Sequence, residues 1–368
     1  MNITPFRPQV LSFIAAHRFP GGVGQYRYSL AVQKPTLYSS TYAAMTRSLL
    51  NDLESLSSTE QSEWISYFNH HQDDDGLYRD PVIYGQGWYK DDPLWCGRSH
   101  LTCHVLTAIT CLGGRAERRF TWIKQFDPIE PWLESRKWTH EVDTVGNEIM
   151  NVGTILQYAR DYHADDRAGK QVERLLNWLD THWLNPQTGV WGTMDISIPV
   201  NRSRMVQAAY HWWPLYFYDN RPIPCIERAI DAVLATQNAK GGFGCGVHNP
   251  TDPETSSACE DIDSIDPLAR MTAKTDYRKT DIQTALRRAL DWVIQNQVAD
   301  GGMVFIKNQP FEYGHPELTS PFGRGAMFPT WFRTLSLALL GKALPDTWTG
   351  QIPWYFVRSP GYQFWSTP

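Results

Sequence analysis

Gln237-Asn238-Ala239-Lys240-Gly241-Gly242-Phe243 is one copy of a turn that recurs along this chain. In each copy a glutamine is followed four residues later by a glycine, and a bulky residue stands two positions after that glycine. The other copies are Gln72 to Tyr78, Asn185 to Trp191, in which Asn replaces Gln, and Gln297 to Met303. The repeated glycines at 189, 241 and 301 are separated by 52 and 60 residues. Such a spacing indicates one helical hairpin per repeat, with a degenerate copy near Trp132.

Each turn closes an amphipathic segment whose apolar residues recur at helical spacing. Glycine after the last turn is the usual end of a helix, since it accepts positive φ without steric cost. These segments predict an outer series of helices over 60–71, 169–183, 224–237 and 281–297.

A second series lies between them and carries small and apolar residues on more than one face, as expected for helices packed on both sides. It covers 41–52, 100–112, 147–162, 204–216, 257–271 and 328–340. Together the two series predict an all-α fold, a single (α/α)6 toroid of inner and outer helices; an open helical solenoid is the alternative. We expect one domain over 1–368, with an N-terminal extension at 1–35, the ring at 36–343 and a C-terminal tail at 344–368.

Composition narrows the class of protein. The 368 residues are 42% hydrophobic and 20% charged, with a formal net charge of −5, and no cluster of Lys and Arg offers a nucleic-acid surface. No apolar stretch approaches the roughly 20 residues that span a bilayer, and no secretory signal is evident. We therefore expect a small-molecule substrate, no nucleic-acid partner, a cytoplasmic location and six free cysteines. The oligomeric state stays open.

The glutamine-glycine-aromatic turn resembles the QW motif of squalene-hopene and oxidosqualene cyclases. The same toroid is shared by the β-subunits of protein prenyltransferases. The resemblance covers roughly residues 36 to 343 and implies the fold more strongly than the activity.

The most unusual segment is Ser257-Ala258-Cys259-Glu260-Asp261-Ile262-Asp263-Ser264-Ile265-Asp266, which places four carboxylates at the start of an inner helix. Helix capping is one interpretation. The other is a general acid, because crowded carboxylates raise the pKa of at least one of them. The D-x-D-D motif of class II terpene cyclases implies Asp263 as the acid, although Ser264 stands where its last Asp would be. We predict Asp263 as acid, supported by Asp261, Asp266 and Glu260, with His211 as the residue that orients it.

Other residues of the inner helices are candidates for substrate binding. Aromatic rings could line a chamber or simply form the core, and polar side chains near the helix starts suit a sugar or an anion. The predicted set is Trp212, Trp331, Phe328, Tyr210, Arg204, Gln207, Asn147, Glu148, His100 and Arg324. Two long connections, 79–93 and 301–325, are candidates for lids over the cavity.

We expect no cofactor, with Mg²⁺ or Zn²⁺ as minor possibilities. Cys245, His248 and Cys259 are the zinc candidates, since prenyltransferase β-subunits hold zinc with Asp, Cys and His, but their spacing matches no compact zinc motif.

Three functions fit these observations. The first is a cyclase-like enzyme, an isomerase that protonates an isoprenoid or other apolar substrate. The second is a carbohydrate-active lyase or hydrolase that uses two of the carboxylates. The third is a non-catalytic toroid that binds a glycan or a protein.

Overall fold

The computed structural model describes residues 6–20, 22–139 and 141–365. Twelve α-helices lie in this part of the chain: α1 (Phe6–Ala16), α2 (Leu37–Leu49), α3 (Ser58–His70), α4 (Arg98–Cys111), α5 (Glu130–Glu134), α6 (Val142–His163), α7 (Asp166–His182), α8 (Pro199–Tyr218), α9 (Ile226–Leu234), α10 (Ala258–Met271), α11 (Lys279–Ile294) and α12 (Met327–Ala343).

Short elements complete the described chain. Strand β1 (Leu184–Asn185) pairs antiparallel with β2 (Val190–Trp191), and β3 (Phe311–Glu312) pairs antiparallel with β4 (Thr319–Ser320). Five 3₁₀ turns cover Leu53–Ser55, Gly87–Tyr89, Thr121–Phe126, Pro316–Leu318 and Thr349–Gln351. All of these short elements lie in the connections between helices or after the last helix.

The even-numbered helices α2, α4, α6, α8, α10 and α12 form a closed inner ring. Each contacts the next along the chain, and α12 packs against α2. Nearly every residue of α2 and α12 is buried, as helices packed on both sides require. This closure confirms the predicted toroid and excludes the open solenoid, in which the last helix would not meet the first.

The outer helices carry the strongest amphipathic pattern. In α7 the apolar residues Val172, Leu175, Leu176 and Leu179 are buried, while the opposite face is exposed. The helices α3, α7, α9 and α11 confirm the predicted outer series, and the degenerate copy near Trp132 corresponds to the short helix α5.

The recurring glutamine closes its own turn, and in the copies at Gln72 and Gln237 it also bonds to the next segment of the ring. Gln72 donates from Nε2 to the carbonyl of Gly76 at 2.8 Å and to that of Arg118 at 3.0 Å, and its Oε1 accepts from Arg118 N. Gln237 donates in the same way to Gly241 O. The glycine of the first turn has a φ of +94° and lies so close to Phe120 that a Cβ would clash. The repeat is thus a structural device.

The chain before α2 and the chain after α12 both pack against the ring. Helix α1 donates from Arg7 to the carbonyl of Leu50 at 2.8 Å, and its Phe13 lies against Gly302. Phe6 meets Trp348 edge to face, which joins the two terminal regions. No helix in the described residues is long and apolar enough to cross a membrane.

Candidate active site

A cavity of about 250 Å³ opens at the end of the ring where the inner helices begin. Every inner helix is followed by an outer segment that returns the chain, so the N-terminal ends of the inner helices lie together. The lining residues are Trp88, Trp95, His100, His104, Asp143, Thr144, Asn147, Gln207, His211, Val247, His248, Cys259, Asp263, Phe305, Phe311, Tyr313, Phe328, Phe332 and Tyr362.

Two connections meet over this cavity, and both are among the predicted lids. The backbone N–H of Trp88 donates to the carbonyl of Gly314 at 3.1 Å, and the Tyr89 hydroxyl donates to the carbonyl of Tyr313 at 2.8 Å. Gly87 has a φ of +53°, and a Cβ there would lie 1.9 Å from Gly314 O. This contact between Gly87–Tyr89 and Tyr313–Gly314, the loop latch, forms part of the cavity roof.

Of the four acidic residues in the segment at the start of α10, Asp263 alone lines the cavity. It lies in the second turn of α10 and is 3% exposed. Burial raises its pKa well above the usual range, and the charges of Glu260, Asp261 and Asp266 raise it further, with no opposing hydrogen bond from the described residues. The surroundings of Asp263 therefore favour its protonated form, and its side chain lines the cavity.

Glu260 lies apart from the cavity and caps α10, as the alternative interpretation of the acidic segment predicts. Its carboxylate accepts from the backbone N–H of Ser257 at 3.0 Å and of Val247 at 3.1 Å, and it lies 3.5 Å from His248. Burial would raise the pKa of Glu260, but hydrogen bonds from His248 and Ser257 lower it overall. Glu260 does not line the cavity; its contacts hold the start of α10 and the connection before it, and it acts on Asp263 only through its charge.

The other two carboxylates of the segment are also structural. Asp261 is fully buried, accepts from Arg333 Nη1 at 2.7 Å and Trp292 Nε1 at 3.0 Å, and so ties α10 to α11 and α12. Asp266 pairs with Arg270 four residues later, one turn further from the cavity. Neither lines the cavity, so any support that they give to Asp263 acts through their charges, which raise its pKa.

Three histidines line the polar side of the cavity, and in each of them one ring nitrogen already has a hydrogen-bond partner. His104 Nδ1 lies 2.9 Å from His100 O, His211 Nδ1 lies 2.6 Å from Gln207 O, and His100 Nδ1 lies 2.6 Å from the Tyr38 hydroxyl. Burial lowers the pKa of His104 and of His211 to about 4 and also lowers that of His100. Each ring is therefore neutral, and Nε2 is the nitrogen left for a ligand.

His211 was predicted to orient Asp263, and the structure corrects this. Both side chains line the cavity, but in the described chain the hydrogen bond of His211 goes to the Gln207 carbonyl instead. The charge that most affects His211 is that of Asp143 on α6.

Asp143 and Thr144 were missed by the sequence analysis. They lie in the first turn of α6, half-buried, and the Asp143 carboxylate accepts from the backbone N–H of Thr144 at 3.1 Å. A helix N-terminus stabilises negative charge at this position. The predicted helix began at Asn147, one turn too late, which left these two residues in a loop; the acidic residue followed by Thr was the available signal.

Four of the predicted substrate-binding residues do line the cavity: His100, Asn147, Gln207 and Phe328. Three predicted aromatic residues do not. Trp212 packs between Trp138 and Trp191, Trp331 stacks on Tyr42 behind the cavity wall, and Tyr210 is buried in the core. For these residues the core interpretation is correct, since inner helices bury side chains on every face.

The predicted charged ligands of the substrate also lie elsewhere. Glu148 pairs with Arg136 at 3.1 Å, Arg324 is exposed in a turn, and Arg204 does not reach the cavity. Within the described residues, the cavity lining contains no Lys or Arg. The positions of Glu148, Arg204 and Arg324 therefore give no support to their predicted roles in substrate binding.

The zinc candidates do not converge. His248 and Cys259 line the cavity, whereas Cys245 does not, and His248 Nδ1 lies 2.9 Å from the Ser257 hydroxyl. The described residues contain no group of three His, Cys, Asp or Glu side chains that could hold a metal ion.

Sequence comparisons with families of known proteins give no match, either to a family model or to a curated protein. Solved structures of similar fold include a polysaccharide lyase, with a TM-score of 0.54, 10% identity and coverage of 94% of this chain and 99% of that chain. A GH76 α-mannanase of Bacteroides thetaiotaomicron has a TM-score of 0.51 and 11% identity, covering 94% and 98%. A glycosidase in complex with glucose has a TM-score of 0.51 and 13% identity, covering 92% and 97%.

These structures share the α/α toroid with this chain over nearly its whole length. At such identities the similarity extends to the fold alone. The resemblance to terpenoid cyclases therefore holds at the level of the toroid, and these neighbours lend no support to the cyclase or prenyltransferase activity that it implied.

Proposed function

We propose that this protein is a carbohydrate-active enzyme, a glycoside hydrolase acting on a neutral glycan. The observation that carries the proposal is Asp263, a buried carboxyl group at the wall of the cavity that has no hydrogen-bond partner among the described residues and whose pKa is raised by burial. A proton donor of this kind is what cleavage of a glycosidic bond requires at its leaving oxygen. The toroid of the similar carbohydrate-active enzymes adds to this support.

A second carboxylate is available for the other half of the reaction. Asp143 lines the same cavity from α6, and α8 with His211 stands between α6 and α10. Burial and the neighbouring carboxylates raise the pKa of Asp263 and so favour its neutral form. We assign the roles accordingly: Asp263 gives the proton to the leaving oxygen, and Asp143 acts on the anomeric side.

The chemistry of the lining favours a neutral sugar. A lyase that acts on a uronate must offset a substrate carboxylate, and the described lining has two acidic side chains and no Lys or Arg to do so. A carbocation cascade is also disfavoured, because His100, His104 and His211 are neutral bases that would quench the cation. Sugar hydroxyls suit the same groups, since each can donate to an imidazole Nε2.

The proposal is tested by incubating the protein with neutral oligosaccharides of mannose, glucose, galactose and xylose and measuring new reducing ends. We expect cleavage of at least one of them. Asp263→Asn and Asp143→Asn should each lower kcat by about 10²- to 10⁴-fold. Asp74→Asn, which removes a fully exposed carboxylate paired only with Arg118, is the matched control and should keep wild-type activity.

The pH profile gives an independent check. Because Asp263 must be protonated, activity should persist through neutral pH and fall as the pH rises through the raised pKa of this carboxyl group. An active protein whose Asp263→Asn variant keeps wild-type kcat would contradict the assignment, and a protein that cleaves none of the sugars would contradict the proposed function.

A further inference from the structure

We infer that the enzyme is exo-acting: its cavity is a blind pocket that admits the end of a glycan chain, because the C-terminal tail fills the far end of the ring. This inference rests on the proposed function and concerns which bond of a chain is cleaved. The tail in question is residues 358–365, called the plug below.

The plug contacts all six inner helices. Its contact residues on the ring are Met45 of α2, Thr107 of α4, Thr154 of α6, Tyr218 of α8, Arg270 of α10 and Trp331 of α12. All but Trp331 lie in the second halves of their helices, at the end of the ring opposite the cavity mouth. A segment that touches every inner helix there leaves no room for a glycan to pass through the bore.

Specific hydrogen bonds hold the plug in place. Gln363 donates from Nε2 to the carbonyl of Met45 at 2.9 Å, and its Oε1 accepts from Trp331 Nε1 at 3.1 Å. Arg358 donates to the carbonyl of Tyr218 at 3.0 Å and lies over the ring of that residue. Gln363 and Trp331 are both fully buried, so these bonds are protected from water.

Tyr362 brings the plug to the cavity itself. Its ring lines the cavity, 5.1 Å from the ring of His104 and 5.4 Å from that of Trp331, measured between centroids. The side chain is 4% exposed, so it forms a floor with little open space behind it. Asp263 lies on the wall above this floor.

The size of the cavity and the loops above it also bear on which part of a glycan can enter. The loop latch joins the two connections above the ring, and the volume of about 250 Å³ is below the roughly 300 Å³ at which pockets for drug-sized ligands begin. We infer that such a space takes the terminal unit of a chain and not its middle. Trp88, 46% exposed at the rim, offers a face on which the next unit can stack.

The test uses tetrasaccharides that carry a fluorophore at the reducing end, made from whichever neutral sugar the wild-type protein cleaves. Exo-action predicts that the first labelled product is the trisaccharide or the monosaccharide, according to which chain end enters. An early labelled disaccharide would overturn the inference while leaving the proposed hydrolase intact. If no labelled sugar is cleaved, the proposed function fails and the inference fails with it.

Tyr362→Ala tests the role of the floor. We expect the deeper pocket to release disaccharide as a new product, which a purely structural role for Tyr362 would not cause. Tyr355→Ala removes an exposed tyrosine of the same tail and should leave the products unchanged. A folded Tyr362→Ala protein with the wild-type product pattern would contradict the assignment, and if this variant does not fold, the wild-type product pattern decides.

Discussion

Replacing Arg333 by methionine should destabilise the protein through one buried ion pair. The guanidinium is fully buried, contacts Asp261 at 2.7 Å, and donates to the carbonyls of Val304 and Phe305 at 2.9 and 3.0 Å. Arg333→Met leaves the Asp261 carboxylate uncompensated, and breaking a buried pair in this way costs about 3–5 kcal/mol.

The expected change in melting temperature follows from the size of the chain. At about 2.1 cal/mol/K per residue, 368 residues give an unfolding entropy of about 0.8 kcal/mol/K, so the loss corresponds to roughly 4–6 °C. Calorimetry of the purified variant measures it. In the double variant Arg333→Met/Asp261→Asn, where no charge is stranded, we expect recovery of at least about 1 kcal/mol.

The matched control is Arg287→Met, which breaks an exposed pair with Asp346 and should cost no more than about 1 kcal/mol. If Arg333→Met lowered the melting temperature no more than this control does, the reasoning that α10 and α12 are joined by a buried charge pair would be refuted.

Further predictions concern the histidines, the repeated turns and the loop latch. Between pH 6.5 and the folded pKa of about 4, the unfolded state binds more protons at His104 than the folded state does. The free energy of unfolding therefore decreases as the pH is lowered across that window. When the pH is lowered from 7 to 4.5, urea titrations should show that the free energy of unfolding of His104→Gln decreases by about 2.5 kcal/mol less than that of the wild type. Gln72→Leu strands two backbone carbonyls and one N–H and should cost about 2–4 kcal/mol in the same assay. Gly87→Ala clashes with Gly314 O and should speed proteolysis of the connection that contains Gly87–Tyr89.

Controls separate these effects from general damage. Equal pH dependence of wild type and His104→Gln would mean that the His104 ring titrates normally in the folded protein. Gln125→Leu alters a glutamine bonded only to its own turn, and a cost equal to that of Gln72→Leu would contradict the role of the repeat. Gly85→Ala, which has open space around it and also a positive φ, is the control for Gly87→Ala; equal proteolysis would mean that backbone strain is the cause and not the lost latch.

The ring of helices could be predicted because its evidence is local. The glycine of each turn ends a helix, and the apolar residues of the segments between follow a period of 3.6. All six inner helices were placed within a turn or so of their bounds. The largest errors are the starts of α6 and α8, each placed five residues late, and the first of these left Asp143 outside its helix.

The acidic segment shows why site residues were harder to assign. Asp261 and Asp263 are two positions apart on α10, about 200° around the helix, so one faces Arg333 and the other faces the cavity. Sequence alone puts both at the helix start but does not say which of the two faces is the inside of the ring. Asp266 lies only three residues after Asp263 on α10. Its carboxylate nevertheless pairs with Arg270, four residues further along, and does not line the cavity.

The plug had no local signal at all. Tyr362 and Gln363 lie in an irregular tail, and their partners on α4, α12 and α2 are between about 30 and 320 residues away. Contacts of this kind are set by tertiary packing, which neither periodicity nor turn chemistry reports.

Infrared spectroscopy tests directly, and without a substrate, whether Asp263 is a protonated carboxylic acid in the cavity wall. The difference spectrum between wild type and Asp263→Asn at pH 7 isolates the C=O stretch of this one protonated group from those of other buried carboxyls. We predict a protonated-carboxyl band in the wild type that is lost in the variant and that titrates away only above neutral pH. A carboxylate band in its place at pH 7 would show that Asp263 is ionised and would contradict its assignment as the proton donor.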